Sequence, residues 1–192
     1  MKDIHFYSGR MGNELFRDAF IYAQFRDGII PDVYLQDYRY FDKYRDELMQ
    51  RYGDEIGFID KVGIHVRRGK NPTNPDEPAY SENSFYVNLG DSDYYERAMA
   101  MFPDKKFLIF SDNTVYCRER FKSDRLEIVE GGTELSDFNQ LASCSDIVMA
   151  NSSFSYWAAY LCKNPNKKII YPKAWYSDGT QRTICPPTWI QI

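Results

Sequence analysis

Asp146-Ile147-Val148-Met149-Ala150, followed directly by Asn151-Ser152-Ser153-Phe154-Ser155-Tyr156-Trp157-Ala158-Ala159-Tyr160-Leu161, reads as strand, turn and helix. A short apolar strand stops at a small residue, and serines then open an apolar helix. The start of a helix leaves backbone N–H groups without partners and carries the positive end of the dipole, so it favours anions. A purely structural cap often places Glu or Gln three residues after the serine to reach back to those donors. Here the whole first turn lacks an acid, which leaves the N–H groups open to an outside phosphate. An ordinary serine cap on a core helix explains the same residues without a ligand. A second anion-friendly element, Gly63-Ile64-His65-Val66-Arg67-Arg68-Gly69, shifts the balance toward one.

Working outward, apolar strands and helical patterns alternate from about residue 61. Strands are expected over Lys61–Arg67, Lys105–Ser111, Leu126–Val129, Asp146–Ala150 and Lys167–Tyr171. Helices are expected over Asp93–Met101, Val115–Phe121, Glu134–Ser143 and Ser153–Leu161. Continuous apolar runs point to strands buried on both faces, and the alternation implies a doubly wound parallel sheet of Rossmann-like α/β type. Ligands of such sheets sit beyond the carboxyl ends of the strands. Three polar clusters fall at those ends: His65/Arg67/Arg68, Ser111/Asp112/Asn113 and Asn151/Ser152/Ser153. The fold requires them to converge.

Residues 1–60 read as a smaller α/β unit and 61–192 as the main lobe. Asp3–Tyr7 resembles a strand, Ser8–Asn13 a glycine turn, and Glu14–Arg26 a helix with Leu15, Phe16, Ala19, Phe20 and Ala23 on one face. A strand near Val33–Gln36 and a helix near Phe41–Tyr52 follow. So small a unit barely buries a core alone and leans on the larger lobe. The Pro-rich stretch Gly69–Ser92 is longer than most loops, which fits either a lid or a floppy insertion.

Composition narrows the function classes. A formal charge of −4 argues against general nucleic-acid binding. No apolar run reaches the length of a membrane span. The opening residues carry no signal-peptide pattern, so a cytoplasmic location is expected, with Cys117, Cys144, Cys162 and Cys185 as reduced structural thiols. With His5 and His65 the only histidines, a zinc site is not expected. The 16 tyrosines and 13 phenylalanines are the anomaly; many tyrosines crowd positions 34–52 and 80–95, where they supply amphipathic contact surface.

Individual residues divide between roles. On a strand, His65 and Arg67 share the face opposite Val62, Ile64 and Val66. A planar guanidinium can grip a diphosphate in two places, or pair with an internal carboxylate; both readings stand for Arg67. Asp112 can accept the paired N–H groups of a guanine edge or cap the next helix, the commoner role for a lone Asp. Asp91-Ser92-Asp93 has metal-binding spacing, yet Asp93 precedes an apolar helix with Glu96 three residues on, so it reads as a cap. Gly9–Gly12 is too loose for a dinucleotide fingerprint, and no G-K-[ST] phosphate loop occurs.

Taken together, the motifs resemble those of the inverting, GDP-fucose-dependent α-1,2-fucosyltransferases, glycosyltransferase family 11. The family pattern G-G-L-G-N-Q-L-F appears as Gly9-Arg10-Met11-Gly12-Asn13-Glu14-Leu15-Phe16, and H-V-R-R-G-D as His65-Val66-Arg67-Arg68-Gly69-Lys70. F-S-D is Phe110-Ser111-Asp112, A-N-S-S-F-S-W-W is Ala150–Trp157, and P-x-x-W-[FY] is Pro172–Tyr176. All five occur in order over nearly the whole chain. Lys70 stands where the family has Asp, Tyr156 where it has Trp, and Glu14 where it has Gln.

The resemblance implies a two-lobed GT-B-like fold, with the GDP-sugar held by the lobe over 61–192 and a reduced acceptor-side lobe over 1–60. It implies transfer of L-fucose from GDP-fucose to a galactose-type glycan acceptor, without metal or cofactor. Arg67 would be the catalytic residue, stabilising the leaving GDP. His65, Arg68 and Asp112 would contact the donor, Asp112 being the candidate for guanine. Ser152, Ser153 and Phe154 would bind phosphate, and Gly12 and Asn13 would line the cleft. Typical members have a much longer stretch before His65 than the roughly fifty residues here. Another linkage, another GDP-sugar, or a non-catalytic GDP-sugar-binding module therefore stay open.

Overall fold

The computed structural model describes residues 11–27, 36–69, 86–179 and 183–192, without the side chains of Asn13 and residues 23–27. Six parallel strands form one sheet: β1 (Ile59–Val66), β2 (Phe107–Ser111), β3 (Leu126–Ile128), β4 (Cys144–Val148), β5 (Ile169–Tyr171) and β6 (Ile190–Gln191). Their spatial order is β3-β2-β1-β4-β5-β6. The chain starts at the centre, moves outward to β3, and then crosses back to the other side of β1. The order reverses between β1 and β4, which is where doubly wound sheets open a crevice for ligands.

Helices cover both faces because β2, β4 and β5 present apolar residues both ways. Leu108, Phe110, Ile147, Met149 and Ile169 face one cluster, while Phe107, Ile109, Val148, Ala150 and Ile170 face the other. The first face carries α1 (Met11–Asp27), α2 (Arg45–Tyr52), α5 (Glu134–Ser143) and α6 (Ser153–Leu161); the second carries α3 (Tyr94–Ala100) and α4 (Thr114–Arg120). On β1, Val62, Ile64 and Val66 point to the second face, leaving Gly63 and His65 beneath α5 and α6. A Cβ on Gly63 would lie 2.6 Å from Leu141 Cδ1, so glycine is what lets α5 settle on β1.

Every strand and helix expected beyond residue 61 is present, with bounds moved by a few residues and α5 and α6 as expected. β6 is an addition. Two residues with one apolar side chain carry no period, and only pairing with β5 makes them a strand. Two local expectations are corrected. Met11, Gly12 and Asn13 form the first turn of α1 rather than a glycine turn. Asp93 stands before α3, but its carboxylate pairs with Arg97 at 3.1 Å, and Ser92 Oγ accepts the Tyr94 N–H instead.

Residues on either side of the expected boundary near 60 share one core. Phe16 of α1 meets Tyr156 and Trp157 of α6 at centroid distances of 4.6 and 5.1 Å. Phe41 stacks on Trp157 at 5.0 Å, and the Tyr160 hydroxyl donates to Asp42 at 3.0 Å. Residues before and after position 60 thus pack together through an aromatic seam. The strand expected over 3–7, that over 33–36 except Gln36, which is not in a strand, and most of the long Pro-rich stretch lie outside the described residues. No helix among the described residues is long and apolar enough to cross a membrane.

Candidate functional site

A cavity of about 650 Å³ opens where the strand order reverses. One member or more of each strand-end cluster reaches it: His65 and Arg67 at the end of β1, Ser111 and Asp112 at the end of β2, and Asn151, Ser152 and Ser153 after β4. Gly12 and Phe154 complete the set of expected residues on its wall. Arg68 is the exception, and Asn13 lies in α1 with its side chain outside the described residues.

The end of β1 is tied down by Asp112. Asp112 Oδ2 pairs with Arg67 Nη1 at 2.8 Å and accepts the Gly69 N–H at 3.0 Å, while Oδ1 accepts the Arg68 N–H at 2.9 Å. Gly69, with φ of 69°, turns the chain as it leaves the strand. Asp112 does not cap the next helix; Asn113 Oδ1 does, accepting the Tyr116 N–H at 2.9 Å. Arg67 therefore has the internal carboxylate partner that one reading required, while its side chain stays 19% exposed on the cavity wall. A guanidinium carries five N–H donors, so one ion pair leaves others for a ligand.

Arg68 turns away from the cavity. Its guanidinium lies 3.8 Å from the centre of the Tyr116 ring and donates to Asn88 at 2.8 Å and Asp91 at 3.1 Å. Just past the end of β1, Arg67 lines the cavity while Arg68 turns to the opposite side, so the two do not share the cavity. Arg68 anchors the segment 88–91 beside the end of β1, and the carboxylates of Asp91 and Asp93 diverge to different arginines.

Two helices begin at the cavity. Ser152 caps α6, accepting the Phe154 N–H at 3.3 Å, and no acid follows in the first turn. The contrast with α5 is direct: there Thr133 and Ser136 form a reciprocal capping box that satisfies two of the end donors. Alongside α6 runs the start of α1. A Cβ on Gly12 would fall 2.5 Å from both Phe154 N and Ser153 C, so glycine is what permits the two helix starts to touch. The first described turn of α1 thus lies against the start of α6 at the cavity wall, where the positive end of α6 favours an anion.

His65 is 5% exposed and packs on Phe154 at a centroid distance of 5.0 Å, and its Nδ1 has no hydrogen-bond partner among the described residues. Burial, and then the Arg67 guanidinium, hold its imidazole neutral and push its pKa down to about 3, against a smaller pull from Asp112. A histidine whose folded pKa lies below its unfolded value of 6.5 stabilises the fold above that value. The stability is lost as the pH falls toward 3, because only the unfolded chain takes up the proton. One such group predicts a loss of about 1 kcal/mol between pH 6.5 and 5.5. Urea titrations at the two pH values should show it, and His65→Gln should flatten it; an unchanged slope in that variant assigns the loss elsewhere.

Several cavity residues had no role assigned from sequence. Tyr86, Trp175 and Tyr176 form an aromatic side, held in place because Asn151 Nδ2 donates to the carbonyls of Val87 at 2.9 Å and Trp175 at 3.0 Å. Trp175 and Tyr176 belong to the quoted Pro172–Tyr176 motif, which was the available signal. Glu134 and Asp137 line the cavity from the start of α5. In sequence neither stood out from the helix expected over Glu134–Ser143.

Residues 24–192 match Glycosyl transferase family 11. The O-antigen biosynthesis glycosyltransferase WbnK of Escherichia coli is 23% identical over 194 aligned positions, covering 88% of this chain and 62% of that protein. The alpha-1,2-colitosyltransferase of Escherichia coli is 28% identical over 180 positions, covering 82% of this chain and 60% of that one. Galactoside alpha-(1,2)-fucosyltransferase 2 of Rattus norvegicus is 31% identical over 109 positions, 52% of this chain and 29% of its own length. The chain thus spans about six-tenths of the length of the two bacterial relatives. No solved structure matches it. With the match running over the strand ends and helix start that build the cleft, the chain belongs to glycosyltransferase family 11.

Proposed function

We propose that this chain forms the donor-binding part of an inverting transferase that moves L-fucose from GDP-fucose to a galactose-type hydroxyl, in α-1,2 linkage and without metal. The observation that carries this is the meeting of the α1 and α6 starts beside Arg67 at one cavity wall. As the bond between fucose C1 and the diphosphate oxygen breaks, negative charge builds on the leaving GDP. Preorganised N–H donors and a guanidinium aimed at that charge lower the barrier. They take the part a divalent cation plays in other transferases. The acceptor hydroxyl attacks C1 from the opposite face, which inverts the anomeric centre, and a carboxylate or other base on the acceptor side removes its proton.

In this reading the six-stranded lobe is the donor half of a GT-B arrangement, and residues before about 60 belong to the acceptor side. His65 is a neutral, apolar-faced wall for the nucleoside, and Asp112 fixes Arg67. The names of the relatives favour the 1,2 linkage more than the sugar, since colitosyl and fucosyl transferases both occur among them. Calorimetry with GDP, GDP-fucose and UDP tests the donor, with UDP expected to bind about tenfold or more weaker. Equal UDP affinity removes the GDP reading. Release of GDP from GDP-fucose, with and without a lactose-like acceptor, tests transfer. Binding without turnover on any acceptor favours the alternative of a GDP-sugar-binding module, which the short acceptor side motivates.

A further inference from the structure

We propose that Asp137, at the start of α5, reads the hydrogen-bonding edge of the donor's guanine, and that Asp112 instead positions Arg67 and the exit of β1. This rests on the GDP reading above and names the residue that would select the base. The argument begins with the capacity of a carboxylate, which is about two acceptor sites on each oxygen. Asp112 Oδ2 already serves Arg67 at 2.8 Å and Gly69 at 3.0 Å, and Oδ1 serves Arg68 at 2.9 Å. Guanine presents its N1–H and 2-amino N–H side by side and needs one open site on each oxygen. Oδ2 has none left. Freeing it would strand either the Gly69 N–H or the guanidinium, and an unpaired buried group is costly.

Asp137 faces the same cavity in a different state. The Ser136 hydroxyl beside it donates to the Thr133 carbonyl at 3.0 Å, and lowers the pKa of the Asp137 carboxyl less than burial raises it. Asp137 is not the cap of α5, because the Thr133 and Ser136 side chains form the capping box there. Space has been left for it: a Cβ on Gly132 would fall 2.1 Å from Asp137 Oδ1 and 2.7 Å from Ser136 Oγ. Gly132 is therefore small where the carboxylate meets the cavity. Next to it, Phe138 meets the Phe154 ring at 5.5 Å, and Phe154 in turn packs on His65 at 5.0 Å. Of these rings, Phe154 and His65 line the cavity and give a planar base an apolar surface beside the phosphate cradle at Ser152 and Ser153, with Phe138 buried behind Phe154. Burial also raises the Asp137 carboxyl above the usual range, a penalty that two N–H donors from a base would offset.

The test is calorimetry on the full chain with GDP, inosine diphosphate and xanthosine diphosphate. Inosine lacks the 2-amino group, so the wild type should bind it about ten- to a hundredfold more weakly than GDP, the range for one hydrogen bond to a charged group. Asp137→Asn should bring the two within about threefold. It should also gain affinity for xanthosine diphosphate, whose N1–H and C2 carbonyl match an amide's acceptor and donor. A gain of binding needs a folded protein, so misfolding cannot imitate it. Asp112→Asn should weaken GDP and inosine diphosphate by one common factor and spare GMP, because the lost grip is on the second phosphate. The inference fails if Asp112→Asn or Glu134→Gln, rather than Asp137→Asn, erases the preference or acquires xanthosine binding. It also fails if Asp137→Asn leaves the preference intact. If the wild type binds no GDP at all, the GDP reading falls with it, and that outcome is visible before any variant is made.

Discussion

Arg67→Ala is expected to slow fucosyl transfer by about 10²–10³, the loss seen when one preorganised donor to a developing negative charge is removed. Of the described residues, Arg67 is the cation that lines the cavity at the helix starts, so no neighbour substitutes for it. Its pairing with Asp112 adds a second consequence. Removing the guanidinium leaves a carboxylate that is 12% exposed with two backbone N–H partners and an uncompensated charge. The ligand-free variant should therefore also lose about 2 kcal/mol of stability.

Single-turnover kinetics and thermal unfolding separate the two effects. The double variant Arg67→Ala with Asp112→Asn removes the stranded charge and should recover part of the stability. Turnover should not recover, because the donor to the diphosphate is still missing. Recovery of turnover in the double variant would mean that Arg67 acts only by neutralising Asp112. A single variant within about tenfold of wild-type turnover would remove Arg67 from the chemistry altogether.

The elements that build this cavity were legible in the sequence wherever a local signal sufficed. The apolar runs Phe107-Leu108-Ile109-Phe110 and Ile147-Val148-Met149 mark strands buried on both faces, and both are. Serines followed by an acid-free apolar turn mark the start of α6, and Ser152 caps it. Partnerships across long separations were not legible. Asp112 offered two local readings, a guanine contact and a helix cap. Its partners instead lie more than forty residues earlier in the chain. Arg68 looked like a twin of Arg67, yet beyond the end of β1 it turns to Tyr116 and Asn88. Asp137 carried no signal beyond its place in a helix's first turn; the cavity arises only once α5 lies over β1. Local chemistry thus located the ends of the strands, while packing decided which side chains share the space beyond them.

Gly12→Ala poses the sharpest conflict between local preference and tertiary contact. In an open helix the change is favourable by about 1 kcal/mol, since glycine is the poorer helix former. At this position the new Cβ would stand 2.5 Å from the Phe154 nitrogen and the Ser153 carbonyl carbon. Both are backbone atoms and cannot rotate aside, so α1 must lift away from α6. The aromatic seam of Phe16 against Tyr156 and Trp157 would open with it. Overpacking of this kind costs about 1–3 kcal/mol, so the sign of the effect should reverse from gain to loss. Gly57→Ala is the matched control, because its Cβ would meet nothing closer than Ser143 Oγ at 3.9 Å. That variant should unfold near the wild-type temperature. GDP affinity should fall in Gly12→Ala by about tenfold or more, since the displaced turn of α1 no longer lies against the start of α6, where an anion is favoured. A stabilised Gly12→Ala protein that binds GDP normally would show that the two helix starts do not act together, and the cradle would then belong to α6 and Arg67 alone.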